Sequence, residues 1–242
     1  QAEDGIRDFC LSRGLGDVYK RQDLMQIHWP NHDIPIDETT NELENLIKSG
    51  KIKEIGVSNF GLKDMTEILD ELAIVTNQLP YNAFWRAIEH DIKPFCIEKD
   101  IGIICYSTLA QGLLTGRYQN VSEVPEGVSR SRLFSKSTSS LCRHNDPGCE
   151  AELFKAIDDI KEFSVKSNLQ PATIATTWLK KQSGVLSLLI GARNKSEVQL
   201  NINSFDYDID DPVLDEYVSF TEKIKNHIGS NPDMWNAVSE YR

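Results

Sequence analysis

The chain has 242 residues, with 26 Lys and Arg against 37 Asp and Glu, a formal charge of −11, and 40% apolar residues. This is the profile of an ordinary acidic globular chain with enough material for a sizeable core. It argues against nucleic acid as a partner, since phosphate binding needs a basic stripe. It argues equally against a membrane, because no apolar run approaches the ~20 residues a bilayer span requires and the N-terminus lacks the basic start and apolar middle of a signal peptide. The five cysteines, Cys10, Cys96, Cys105, Cys142 and Cys149, are odd in number and mostly far apart. Neither a disulfide framework nor a metal knuckle is indicated, and reduced, cytoplasmic thiols are the expectation. Cys142 and Cys149 lie near His144 and Asp146, but the paired spacing of a structural zinc site is missing, so no metal is expected.

From Leu24 short apolar strands alternate with amphipathic helices, the rhythm of parallel strands joined by helical crossovers. The first strand covers 24–28 and stops at Trp29-Pro30. The helix after it takes Asp37 as N-cap, Leu43, Leu46 and Ile47 as its apolar face and Gly50 as its stop. A strand at 54–57 precedes a helix carrying Met65, Ile68, Leu69 and Leu72; then come a strand at 75–78, a helix at 88–99 and a strand at 103–106. The strands are apolar on both faces, as suits a helix-covered sheet that is also packed inside. Residues 117–148 are rich in Ser, Pro, Gly and charge and read as a long functional loop. Helices at 150–166 and 172–181 follow, the second opened by Pro171. A fifth strand at 186–190 runs into Gly191-Ala192-Arg193 and a helix from Ser196, and a helix at 213–228 precedes a polar tail with Pro232 and Trp235. No repeat or linker divides the chain, so a single domain is predicted.

In parallel sheets and barrels ligands gather where strands end. His28-Trp29, Ser58-Asn59, Gln78, Tyr106-Ser107 and Gly191-Ala192-Arg193 occupy those positions. An imidazole, an amide-recognising pair, a stacking aromatic and a Gly-led cationic turn together suggest a nucleotide cofactor beside a polar reaction centre. Plainer roles stand beside these: Ser58-Asn59 as N-cap of the next helix, and Arg193 with Lys195 as a solvated pair. The Asp206-Asp208-Asp210-Asp211 cluster lacks the Gly and terminal Glu of a calcium loop and reads as solvated turn.

Five segments are more specific: DLMQIHWP at 23–30, GKIKEIGVSNF at 50–60, NQLPYN at 77–82, IICYSTLAQGLLTG at 103–116 and LIGAR at 189–193. Through them, in this order over 23–242, the chain resembles the aldo/keto reductases. The resemblance implies an α/β fold, a partial (β/α)8 TIM-type barrel with about five of its eight strands, the fourth to the eighth. It also implies reduction of a small-molecule aldehyde or ketone by NADPH, with NADH possible, and leaves the oligomeric state open. By the resemblance, His28 is the active-site histidine and Trp29 lies on the substrate wall. Ser58, Asn59 and Gln78 hold the nicotinamide carboxamide, Tyr106 stacks on its ring, and Ser107 and Leu109 contact the pyrophosphate. Gly191, Ala192 and Arg193 begin a helix, where a phosphate is favoured, and Arg193 with Lys195 serves the 2′-phosphate. Asn201 matches the adenine position. Glu197 stands where the family has Gln or Arg, an anion beside a phosphate, which puts the NADPH preference in question.

The family's remaining catalytic residues, a Tyr, a Lys and an Asp, precede the strand that ends in His28. Only 22 residues stand ahead of Asp23, too few for three βα units when one strand, crossover and return strand takes about 30. Tyr19 and Lys20 do not substitute, since neighbours on a strand face opposite ways. Residues 1–22 thus read as an atypical segment and 23–242 as the C-terminal portion of a barrel, N-terminally truncated and with little activity of its own. A non-catalytic nucleotide-binding or regulatory barrel is the alternative.

Overall fold

A computed structural model of the chain describes residues 22–236. The expectations for Tyr19, Lys20 and the atypical start lie outside the described residues. Five strands, β1 (Gln22–Ile27), β2 (Ile52–Ser58), β3 (Thr76–Pro80), β4 (Gly102–Tyr106) and β5 (Val185–Leu188), form one sheet in sequential order. Every pairing is parallel. Helices α1 (Ile36–Lys48), α2 (Leu62–Leu69) and α3 (Ile92–Glu98) supply the first three crossovers. Between β4 and β5 lie α4 (Glu126–Ser129), α5 (Glu150–Ser167) and α6 (Pro171–Lys180), and after β5 come α7 (Lys195–Ser204), α8 (Asp211–Ser219) and α9 (Glu222–Ile228). Sequential parallel strands joined through helices are the wall of the partial TIM-type barrel that the sequence predicts, with β1 and β5 as its edges among the described residues.

The pleat sorts the side chains of this wall into two faces. Ile55, Val57, Asn77, Leu79, Ile103 and Cys105 are fully buried, and Asn77 donates through Nδ2 to Phe60 O at 2.9 Å and meets Met65 of α2, which identifies theirs as the helix-covered face. The register then aligns Gln26 with Gly56, Gly56 with Thr76 and, two residues on, Ser58 with Gln78 and Gln78 with Ile104 on the opposite face. That inner face carries most of the polar residues. Gly56 permits the close approach of β2 and β3 there, since a Cβ on it would lie 2.2 Å from Thr76 Oγ1.

Several predicted elements change. Asp37 is not a cap: α1 opens at Ile36 behind Pro35 without a side-chain cap, and Asp37 and Glu38 sit in its first turn, where the helix dipole favours them. The helix predicted at 88–99 divides into a 3₁₀ turn (Ala87–Glu89) and α3, because Pro94 has no N–H for the carbonyl one turn back. The helix predicted at 213–228 breaks between α8 and α9, where Thr221 Oγ1 donates to Val218 O at 2.8 Å and Phe220 packs edge-on against Phe163.

The predicted loop at 117–148 contains a 3₁₀ turn (Val121–Glu123) and α4, and its middle is internal: Leu133 and Phe134 are buried. Arg132 fastens it to the C-terminal segment. Its Nε donates to Asp146 Oδ2 at 2.5 Å, Nη1 to Asn231 O at 3.1 Å and Nη2 to Ile228 O at 3.3 Å. Its backbone N–H donates to Met234 O at 2.9 Å, and Trp85 Nε1 donates to Pro232 O at 3.1 Å. Asp146 is thereby engaged with a cation, and the Cys149 thiol faces Leu133 O at 3.6 Å. Among the described residues no helix is long and apolar enough to cross a membrane.

Candidate active site

The inner face ends in a hydrogen-bonded set that spans four strands. Ser58 closes β2, and its Oγ donates to Gln78 O on β3 at 2.9 Å; the Asn59 N–H reaches the same carbonyl at 3.0 Å. Asn59 has a left-handed backbone, φ 63°, which turns its side chain back over the strand ends. Its Nδ2 donates to His28 O at 3.0 Å, just beyond β1, and to Ser58 Oγ at 3.1 Å. Its Oδ1 accepts from Tyr106 OH at 2.9 Å, at the end of β4. One amide therefore ties β1, β2 and β4 together. Gly61 is the N-cap residue of α2, with no side-chain cap bond, so Ser58 and Asn59 do not cap that helix and their hydrogen bonds belong to the site. Ser58 and Asn59 are buried, Gln78, Trp29 and Tyr106 half-buried, and the His28 side chain lies exposed at the mouth.

Gln26 belongs here as well, though sequence reasoning missed it. Its Nε2 donates to Gln78 Oε1 at 3.1 Å, while its own Oε1 is buried without a hydrogen-bond partner. The available signal was parity: Gln26 stands two residues before His28 in the strand predicted at 24–28, and a pleat turns residues two apart to one face. An orphaned buried acceptor beside a second carboxamide suits a ligand that offers an N–H donor, as a primary amide does.

From Tyr106 the chain runs along Ser107, whose carbonyl accepts from Asn82 Nδ2 at 3.0 Å, to Leu109 and a cavity of about 440 Å³. Asn59, Ser107, Ala110 and Gln111 all have positive φ. Backbone strain of this kind, costing of order 1–3 kcal/mol per residue, persists where the surroundings over-determine it, as at ligand-binding sites.

Gly191, Arg193, Glu197 and Asn201 line the cavity's far side. Gly191 and Ala192 are exposed, and Asn201 Nδ2 reaches Gly191 O at 3.4 Å. The structure joins Arg193 to Glu197: Nη2 donates to Oε1 at 2.6 Å, Nε to Oε1 at 3.1 Å, and the Arg193 backbone N–H to Oε2 at 2.7 Å. Hydrogen bonds from the Arg193 side chain and backbone hold the Glu197 carboxyl below the usual carboxylate range. Lys195 is exposed at the first position of α7.

The described hydroxyl and ammonium pair nearest to a proton relay is Tyr81 with Lys93, 3.3 Å apart. It is on the wrong side of the wall. Tyr81 follows Pro80 with the opposite parity to Tyr106, bonds Glu89 Oε1 at 2.7 Å and packs on Trp178 of α6. Burial and the neighbouring Glu89 push its hydroxyl pKa up, which disfavours ionisation.

The sequence model of the aldo/keto reductase family matches residues 16–222. Aldo-keto reductase YhdN of Bacillus subtilis is 29% identical over 182 residues, 73% of this chain and 51% of that protein. An NADH-specific methylglyoxal reductase of Escherichia coli is 29% identical over 197 residues, covering 78% of this chain and 56% of that protein. Among solved structures, a glycerol dehydrogenase from Gluconobacter oxydans superposes with a TM-score of 0.69 at 29% identity, over 96% of this chain and 66% of that one. The chain thus spans about half to two-thirds of the length of these relatives.

Proposed function

The chain belongs to the aldo/keto reductase family, and from that premise we propose that it forms the dinucleotide-binding part of an oxidoreductase that converts a small aldehyde or ketone to the alcohol. The family resemblance implies NADPH as the reductant, with NADH as the other candidate. The observation that carries the reading is the single hydrogen-bonded set of Ser58, Asn59, Gln78 and Tyr106 beside His28, continued along Ser107 and Leu109 to the cavity at Arg193. Bound there, the reduced dinucleotide supplies the hydride. Gln26, Ser58 and Gln78 offer the donors and acceptors that a carboxamide needs. Asn59 holds the Tyr106 ring through its hydroxyl, so that the ring stacks on one face of the nicotinamide and leaves the nicotinamide's opposite face open for substrate. In this reading the exposed His28 imidazole donates a hydrogen bond to the substrate carbonyl oxygen, and Trp29 forms part of the substrate wall.

Reduction also consumes a proton. Among the described residues no Tyr and Lys pair faces the inner side, so this polypeptide by itself binds the dinucleotide and turns over slowly, general-acid catalysis being worth roughly 10²–10⁴-fold. The four free cysteines among the described residues fit a reducing compartment such as the cytoplasm. Titrating the 242-residue chain with NADH and NADPH, and following quenching of tryptophan fluorescence, tests the binding. Saturable quenching that weakens in Tyr106→Ala is expected. Absence of binding by a chain that melts cooperatively would overturn the reading, and rapid turnover of a model aldehyde would overturn the part concerning the proton.

A further inference from the structure

We propose that this chain selects a dinucleotide with a free ribose 2′-hydroxyl over one with a 2′-phosphate, and that Glu197 is the residue that sets the choice. The inference rests on the preceding reading, in which the cavity between the loop after β4 and α7 takes the adenosine end. In that cavity Arg193 is the cation at the position expected for a 2′-phosphate, and one edge of its guanidinium, Nε and Nη2, is already paired with a carboxylate. Glu197 receives both Nε and Nη2 of the guanidinium and, through its second oxygen, the Arg193 backbone N–H.

The carboxylate is fixed from its own backbone too. Asn194 caps α7, its Oδ1 accepting from the Glu197 N–H at 3.0 Å, while the Glu197 carboxylate reaches back to the N–H of the residue before the cap. This is close to a reciprocal capping box. Swinging Glu197 aside would break that helix start as well as the ion pair. Arg117 also lines the cavity, but its guanidinium lies over the Tyr118 ring, 4.9 Å from the centroid.

A phosphate dianion would therefore meet a carboxylate that holds the Nε and Nη2 edge of Arg193, half-neutralises its charge and repels the dianion. A ribose with a free hydroxyl meets an acceptor of the right kind, since an ionised carboxylate is acceptor-only and binds hydroxyl donors strongly. With Glu197 at this position the residues present favour the 2′-hydroxyl over the 2′-phosphate.

Calorimetric titration of the full chain with NAD⁺ and NADP⁺, which differ only by the 2′-phosphate, tests this without turnover. Glu197→Gln removes the charge and keeps an oxygen for the Arg193 N–H, so α7 retains its start. The wild type is expected to bind NAD⁺ roughly tenfold more tightly than NADP⁺ at low salt, the size of one unfavourable charge contact in partly solvated surroundings. E197Q is expected to gain roughly five- to tenfold for NADP⁺ with NAD⁺ changed less than about twofold, and adding Arg193→Ala to E197Q is expected to remove that gain. Tight binding of both dinucleotides without discrimination, or a ratio unmoved in E197Q, would overturn the inference and leave the proposed function standing. Failure of both dinucleotides to bind a folded chain would overturn the proposed function, and the inference with it.

Discussion

Replacing Asn59 separates its two roles. The side chain makes three hydrogen bonds, to His28 O, Ser58 Oγ and from Tyr106 OH, and the backbone is left-handed at φ 63°. Each bond contributes about 1 kcal/mol net, but the exposed mouth lets water replace part of those to His28 and Tyr106, so their loss costs about 2 kcal/mol in total. Asn59→Gly loses these bonds and keeps the backbone. Asn59→Ala loses them and adds about 1–2 kcal/mol for holding a Cβ in the left-handed region, against which glycine's freer unfolded chain offsets about 0.5–1 kcal/mol. Urea unfolding followed by far-ultraviolet circular dichroism should therefore rank Asn above Gly above Ala, with Gly about 2 kcal/mol below wild type and Ala roughly 0.75 kcal/mol lower again. Dinucleotide affinity should fall by a similar factor in both variants, because both release Tyr106. Alanine equal to or better than glycine in stability would refute the backbone argument, and unchanged affinity in both would refute the role given to the Asn59 and Tyr106 contact.

Glu89 is desolvated, which alone would raise its pKa, yet hydrogen bonds from Arg86 and Lys225 prevail and hold it at about 2. Its folded pKa is thus depressed, so its stabilisation is whole above the unfolded value near 4.3 and is lost as pH falls through 2. After discounting for partial exposure this is about 2 kcal/mol. Glu89→Gln, which leaves the buried Arg86 under-compensated, should lose about 3 kcal/mol at pH 7, and its deficit against wild type should shrink between about pH 4.5 and 2; a deficit independent of pH would refute the assignment. Burial pushes the Cys96, Cys105 and Cys149 thiols up to about 12, so in a Cys10→Ser chain a disulfide reagent at neutral pH should titrate Cys142 first and the other three only after denaturation. Arg132→Ala should cost about 3 kcal/mol, since it strands Asp146 and several carbonyls, and should expose both the loop at 117–148 and the segment after α9 to limited proteolysis. Resistance at either segment would count against the clasp.

The strands and their terminal residues were legible because apolar runs bounded by Trp29-Pro30, Ser58-Asn59 or Tyr106-Ser107 report burial and stopping point together. Which residues share a face was legible only in part. Gln26 needed the pleat of β1 and the register with β2 and β3, which a single strand does not state. Local competition hid other details: Asp37 is a good cap by type, but with Pro35 at the N-cap the helix starts two residues earlier, and the apolar stripe through 213–228 does not show that Thr221 turns its hydroxyl on the Val218 carbonyl. Arg193 and Glu197 stand four apart, so their pairing was available in principle. Reading Arg193 as a phosphate ligand, or as a solvated partner of Lys195, concealed it.

The clasp at Arg132 joins stretches of chain about 100 residues apart in sequence, since one guanidinium reaches Asp146, Asn231 and Ile228 together. In protein engineering, the loop at 130–150 and the segment at 228–236 therefore form one cassette. Grafting either alone from a relative would cut the Arg132 contacts, whereas moving both carries the clasp along and leaves the Trp85 bond to the backbone carbonyl at position 232 as its link to the wall. Recombination libraries with crossovers placed outside the pair should retain folded members more often than libraries that split it.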